Sequence, residues 1–208
     1  GGFFHASRRP VTREMVERCM DYSKVLLTAK EIAEIKDKYQ NKVKISLGVD
    51  FGSSPSRSAT VICILIDWKE TGRYQMVFME KRPAENQMDQ AEYITRLFHE
   101  AKCDIGFGDL GYGAIQVKTI QDGSANRESG KLFKGVTPQK FVGCRTIGDE
   151  TKPQMRYDKK IDEHGEVTGM IKLDKTTIIQ EFIDLLETKI PDKDEPENEK
   201  LVKLKLII

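Results

Sequence analysis

No run of apolar residues in this 208-residue chain approaches the ~20 needed to cross a bilayer, and no basic-then-apolar leader is present. The chain therefore reads as soluble and non-secreted. Cysteine is scarce: Cys19, Cys63, Cys103 and Cys144 are scattered, with neither CxxC nor metal-finger spacing, which excludes a disulfide framework and a zinc finger. Cys63 and Cys103 lie in apolar runs and read as reduced core thiols. The only histidines, His5, His99 and His164, fit no Ser/His/Asp nucleophilic spacing and read as surface or packing residues. A charge excess is also lacking. The net charge of +1 argues against a protein that coats nucleic acid non-specifically. Gly130-Lys131 fails as a phosphate-binding loop, because Ala125 and Leu132 stand where glycine and Ser or Thr are required.

What is present suits one full-sized α/β domain with appendages: 38% hydrophobic and 32% charged residues. Charge is unevenly placed. Residues 131–160 hold eight Lys and Arg against three Asp and Glu, whereas residues 161–208 hold seven against twelve. The basic stretch, with Lys131, Lys134, Lys140 and Arg145, is a candidate for holding phosphates.

Residues 1–41 read as a helical appendage. Met15, Val16, Cys19 and Met20 share a helical face behind a Thr12 cap, and a charged helix is predicted from Ala29 to Tyr39. From Lys42 the period changes to two. Val43, Ile45, Leu47 and Val49 alternate with Lys44, Ser46 and Gly48 in a strand that ends at Asp50. Thr60 to Ile66 and Tyr74 to Met79 predict two more strands, joined by short turns into a meander. Asp89 to Ala101 is amphipathic, Asp104 to Asp109 is a short strand, and Ile115 to Ile120 starts a helix. Gln121 to Thr137 reads as a polar loop, and Lys140 to Cys144 as a fifth strand. Met155 to Leu173 predicts a hairpin turning at Asp162-Glu-His-Gly165, Thr176 to Lys189 a helix, and Pro191 to Lys200 a charged linker. The apolar end at Leu204–Ile208 looks like part of an element.

The order β-β-β-α-β-α-β is that of a ribonuclease H-like mixed sheet flanked by helices, over residues 42–208, with a hairpin insertion. In that fold the first and fourth strands are neighbours, which brings Asp50 and Asp109 to one sheet edge. Two close carboxylates repel, and one takes up a proton unless a cation lies between them. Mg²⁺ or Mn²⁺ meets that need, since both prefer oxygen ligands and accept phosphate oxygens. Two such ions roughly 3.5–4 Å apart hydrolyse phosphodiesters without a covalent intermediate. Gly106-Phe-Gly108-Asp-Leu-Gly111 also matches dinucleotide-type glycine spacing, but no βαβ unit precedes it.

Gly48-Val-Asp50-Phe-Gly-Ser-Ser-Pro-Ser-Arg-Ser-Ala-Thr60, the turn Gly108-Asp109-Leu-Gly-Tyr-Gly113 and the later hairpin and helix resemble the nuclease domain of a tailed-bacteriophage large terminase. The approach Arg9-Pro-Val-Thr-Arg-Glu-Met-Val-Glu17 is similar to the segment joining that domain to the family's packaging ATPase. The resemblance implies a metal-dependent endonuclease that cuts concatemeric double-stranded DNA, with Asp50 and Asp109 as catalytic metal ligands and Mg²⁺ or Mn²⁺ as cofactor. It further implies a small terminase subunit and a portal as partners of the full-length protein, and the host cytoplasm as its place. The family's third acid has no clear counterpart. Asp192 and Asp194 lie in the expected neighbourhood, and a residue beyond Ile208 is the other option.

Two alternatives from other classes remain open on sequence. Gly48-Val-Asp50-Phe-Gly52-Ser53 matches the first phosphate loop of actin-like and sugar-kinase ATP-binding lobes, and Asp109-Leu-Gly111-Tyr-Gly113 mimics the second. A non-catalytic DNA-binding module would use the basic stretch and leave the acids structural.

Overall fold

A computed structural model describes residues 11–22, 25–53, 58–83, 86–125, 130, 132–147, 156–161, 167–190, 201–202 and 204–207. The meander is formed by β2 (Val43–Asp50), β3 (Ala59–Trp68) and β4 (Arg73–Pro83); before it come α1 (Arg13–Cys19), β1 (Met20–Asp21) and α2 (Ala29–Tyr39). Then follow α3 (Gln87–Glu100), β5 (Ile105–Asp109), α4 (Leu110–Asp122), β6 (Gly123–Ala125), β7 (Leu132–Lys134) and β8 (Phe141–Ile147). The last elements are β9 (Arg156–Ile161), β10 (Val167–Asp174), α5 (Lys175–Glu187), β11 (Lys189–Ile190), β12 (Leu201–Val202) and β13 (Leu204–Ile207).

Nine strands make one sheet in the order β1-β13-β4-β3-β2-β5-β8-β10-β9. β2, β3 and β4 pair antiparallel, whereas β2-β5, β5-β8 and β8-β10 are parallel. The central block β4-β3-β2-β5-β8 is the ribonuclease H-like arrangement: the first strand is central and the fourth lies beside it. The hairpin expected as an insertion contributes β10 to the main sheet, with β9 antiparallel at its edge. β13 lies parallel to β4 on the other side.

Alternation in β2 places Val43, Ile45, Leu47 and Val49 in the core and exposes Lys44 and Asp50. That face packs under α2, α3 and α4. Ile32, Ile45, Ile62, Ile64, Ile66, Ile94, Ile120 and Phe141 there are buried, each side chain worth about 1.5–3 kcal/mol by transfer. α2 is fastened by a capping box between Thr28 and Glu31. Asp104 accepts from Lys36 Nζ at 2.7 Å and from the Ile45 N–H at 2.7 Å, which docks α2 against the start of β5. The second face has a smaller cluster, with Met15 and Cys19 of α1 against Ile183 and Leu186 of α5. That cover is partial, so Val61, Cys63 and Leu65 of β3 are half-buried.

Two local expectations change. The segment Leu110–Gly113, read as a turn, is the first turn of α4, because Asp109 caps the helix directly from the strand end. Residues 121–137 are not simply a loop, since β6 and β7 pair as a short antiparallel ribbon within them. The linker 191–200 and the hairpin turn at 162–165 lie outside the described residues.

Candidate metal centre

β2 and β5 run parallel with Val49 opposite Gly108. One step further, Asp50 and Asp109 end adjacent strands at a spacing of ~4.8 Å between strand axes. Strand pleating turns both to the face opposite the main core, together with Gly48 and Phe107. Asp50 sits at an exposed strand end. Partial desolvation of its carboxyl and then the negative charge of Asp109 hold it above the ordinary carboxylate range. Carboxylates at that spacing repel one another.

Asp109 has two roles. Its Oδ2 accepts the Gly111 N–H at 2.9 Å and caps α4. This fixes the carboxylate and leaves Oδ1 for another partner. Opposite Asp109 in register stands Cys144 of β8. Its thiol is pushed up to about 11 by burial and by the charge of Asp109, so at neutral pH it is neither nucleophile nor thiolate ligand.

Phe51 couples the two strand ends. The ring is 2% exposed and enters beneath α4, where an ideal Cβ on Gly113 would fall 2.0 Å from Phe51 Cδ2. Only glycine admits so close an approach. At Gly106 the same space is taken by Phe141, whose Cδ2 would lie 2.4 Å from a Cβ. The dinucleotide-like glycine spacing thus comes from aromatic packing. With residues 110–113 helical, the second phosphate loop expected for an ATP-binding lobe is absent from that position.

The basic residues are not gathered. Arg145 is one residue past Cys144 on β8, so it lies at the acids' end of the sheet, on the opposite face, and is exposed. Lys140 precedes β8, ~13 Å back along the strand from the level of Cys144. Lys134 pairs with Gly123, beyond the far end of α4, which is ~20 Å long. Lys131, Asp192 and Asp194 lie outside the described residues, as do His5 and His164.

Sequence reasoning missed Asp174, although the signal was the one used for the other acids: a carboxylate ending an alternating run just before a helix. It is 6% exposed and caps α5, its Oδ1 accepting the Thr177 N–H at 2.8 Å and hydroxyl at 3.0 Å. Ile171 is level with Cys144, so Asp174 is three residues further along and two strands across from Asp109, ~14 Å away by strand spacings. It lines a pocket of about 380 Å³ with Phe107, Cys144, Leu173, Ile178 and Glu181. Among the described residues no group of three His, Cys, Asp or Glu side chains converges as a metal cage.

The donor set fits a hard divalent cation nonetheless. It offers two carboxylates on one face of the sheet, Asp50 exposed and Asp109 partly exposed. Fold and acid pair together define a ribonuclease H-like domain with an acidic strand-end site. In overall shape the chain is similar to the human cytomegalovirus terminase nuclease domain solved after Mn soaking with an inhibitor bound. That likeness covers 96% of this chain and 78% of that one, at 10% identity and a TM-score of 0.47. It is also similar to the large terminase nuclease domain of bacteriophage SPP1 with bound Mn, over 84% and 81% of the two chains, at 13% identity and a TM-score of 0.37. No protein-family model and no curated protein matches the sequence.

Proposed function

We propose that this chain is the divalent-metal-dependent endonuclease domain of a viral DNA-packaging terminase, which hydrolyses phosphodiester bonds of concatemeric double-stranded DNA. The observation that carries the reading is the in-register placement of Asp50 and Asp109 at the ends of neighbouring parallel strands. Support also comes from the ordered motifs around them, Gly48-Val-Asp50-Phe-Gly52 and Gly108-Asp109-Leu-Gly-Tyr-Gly113.

Asp50 and Asp109 would hold Mg²⁺ or Mn²⁺, in a one- or two-ion arrangement. Such ions supply a lowered water pKa and charge stabilisation at a phosphodiester. The chain's own part is positional. The Gly111 N–H holds Asp109 in one rotamer, and the Phe51 wedge holds the end of β2 against α4. A cation between the two acids would relieve their repulsion, which adds to burial in raising the Asp50 pKa. Arg145, at the same end of the sheet, is the best placed of the basic residues to meet a DNA phosphate. In a full-length protein the small terminase subunit and portal would be the partners, and the host cytoplasm the setting. Among the described residues no helix is long and apolar enough to cross a membrane.

Plasmid cleavage with Mg²⁺ or Mn²⁺ tests the reading. Wild type should nick and linearise the plasmid, with Asp50→Asn and Asp109→Asn each reduced about 100-fold or more. Equal cleavage by wild type and both variants would refute the site.

A further inference from the structure

We propose that Thr60 and Gln90 form a buried positioning relay that fixes the chain just after Asp50, and thereby holds the Asp50 carboxylate in register with Asp109 for cation binding. This inference rests on the metal-dependent reading above.

Past Asp50 the chain leaves β2, and the Gly52 N–H loses its sheet partner. It donates instead to Thr60 Oγ1 at 3.1 Å. The Thr60 hydroxyl in turn donates to Gln90 Oε1 at 2.8 Å. Donor and acceptor roles thus run in one direction, from the loop through β3 to the first turn of α3. Thr60 is 1% exposed and Gln90 6% exposed. Thr60 shares its strand face with Ile62, Ile64 and Ile66, all aliphatic and buried. An aliphatic residue at position 60 would fill the same volume without burying a hydroxyl, and burying an unpaired polar group costs about 1–3 kcal/mol. A polar pair in this place trades packing for direction: it specifies where Gly52 stands.

Other contacts at the loop agree. An ideal Cβ on Gly52 would lie 2.4 Å from Ser58 O and 2.8 Å from Ala59 C, so the loop backbone is pressed onto the start of β3. The next N–H, of Ser53, donates to Ser58 Oγ at 2.7 Å. On the other side, Phe51 is wedged under α4. Asp50 therefore extends from a strand end whose following two residues are each held at a defined point. Thr60 and Gln90 touch no reacting atom; they act through Gly52.

The test uses Thr60→Val, which removes the hydroxyl at constant volume, with Thr60→Ser as the conservative rescue and Gln90→Met as a milder lesion. Each is studied at a temperature where circular dichroism shows it fully folded. Two readouts are taken: Mn²⁺ affinity by calorimetry, and the exchange rate of the Gly52 amide by NMR relative to the Val49 amide. Thr60→Val should weaken Mn²⁺ binding about 10-fold, the lower end for lost outer-shell support, and speed Gly52 exchange while Val49 is unchanged. Thr60→Ser should restore both, and Gln90→Met should show a smaller loss of each. Wild-type Mn²⁺ affinity in Thr60→Val, or a loss that Thr60→Ser fails to restore, overturns the relay alone. If Thr60→Val does not fold, unaltered Mn²⁺ affinity in Gln90→Met overturns it. Absence of Mn²⁺ binding by the wild type overturns the metal reading and the relay with it.

Discussion

The phenyl ring of Phe51 fills the position that a side chain on Gly113 would take, 2.0 Å from its ideal Cβ. One residue before Phe51 is Asp50, and four before Gly113 is Asp109. The contact joins the two strand ends that carry the acids, so packing and site geometry are linked at this point.

Gly113→Ala measures that link. In an ordinary helix interior the change would stabilise by about 1 kcal/mol. Here the added methyl collides with a buried ring, and overpacking of this kind costs about 1–3 kcal/mol. Urea denaturation should show net destabilisation of about 2 kcal/mol, partly recovered in the double variant with Phe51→Leu. A stabilised Gly113→Ala would show that the ring has room to move.

The two functions of Asp109 separate by substitution. Asn caps a helix about as well as Asp, whereas Ala does not. Asp109→Ala should therefore be about 1 kcal/mol less stable than Asp109→Asn in chemical denaturation, while calorimetry shows Mn²⁺ uptake lost in both. Equal stability of the two variants would mean that the cap contributes nothing.

The raised pKa of Asp50 has a definite sign in stability. The folded state binds this proton more readily than the unfolded chain, so the favourable contribution is full below the ~3.9 of an unfolded Asp and is lost as pH rises through the folded value. At pH 7 in EDTA, Asp50→Asn should be more stable than wild type, and the difference should vanish on acidification below that range. Saturating metal should reverse the order, because Mn²⁺ at 100 times its Kd adds about 2.7 kcal/mol to a protein that binds it. A less stable Asp50→Asn at pH 7 in EDTA would contradict the raised pKa of Asp50.

Asp104 joins α2, β2 and β5 through Lys36 and the Ile45 N–H. Both Asp104 and Lys36 are partly buried, with side chains 32% and 20% exposed. Asp104→Ala leaves the Ile45 N–H without its acceptor and the Lys36 ammonium with the Val43 carbonyl, and should cost about 2 kcal/mol by urea denaturation. A loss below 0.5 kcal/mol, the range of an exposed ion pair, would mean that water replaces the carboxylate.

Arg145 and Lys134 differ in distance from the acids. In salt titrations of DNA binding, Arg145→Ala should lower the slope of log affinity against log salt by about 0.9, one phosphate contact. Lys134→Ala should leave it unchanged. The reverse result would move the DNA path to the far end of α4.

Much of the local structure was legible in the sequence. The alternation Val43, Ile45, Leu47, Val49 and the apolar run in β3 identify strands because pleating turns successive side chains to opposite faces. Thr12 marks a helix start because a side-chain oxygen there accepts an otherwise unpaired N–H. α4 was harder: Leu110-Gly-Tyr-Gly113 has the composition of a turn, and the helix begins there because Asp109 caps it and Phe51 needs the space its glycine leaves. The β6–β7 ribbon was missed because its strands are only three residues long, too short to display a period.

The sequence alone determined where most of the longer strands and helices lie and that two acids end two strands, since periodicity and capping act over a few residues. Which carboxylates meet was decided by tertiary structure. Asp50, Asp109 and Asp174 look alike in sequence, each an acid at the end of an apolar run. Parallel pairing of β2 with β5 brings the first two together, whereas the β8–β10 register carries Asp174 away to cap α5. Strand pairing joins residues far apart in the chain, and its register depends on how the whole sheet buries its faces, which no local pattern contains.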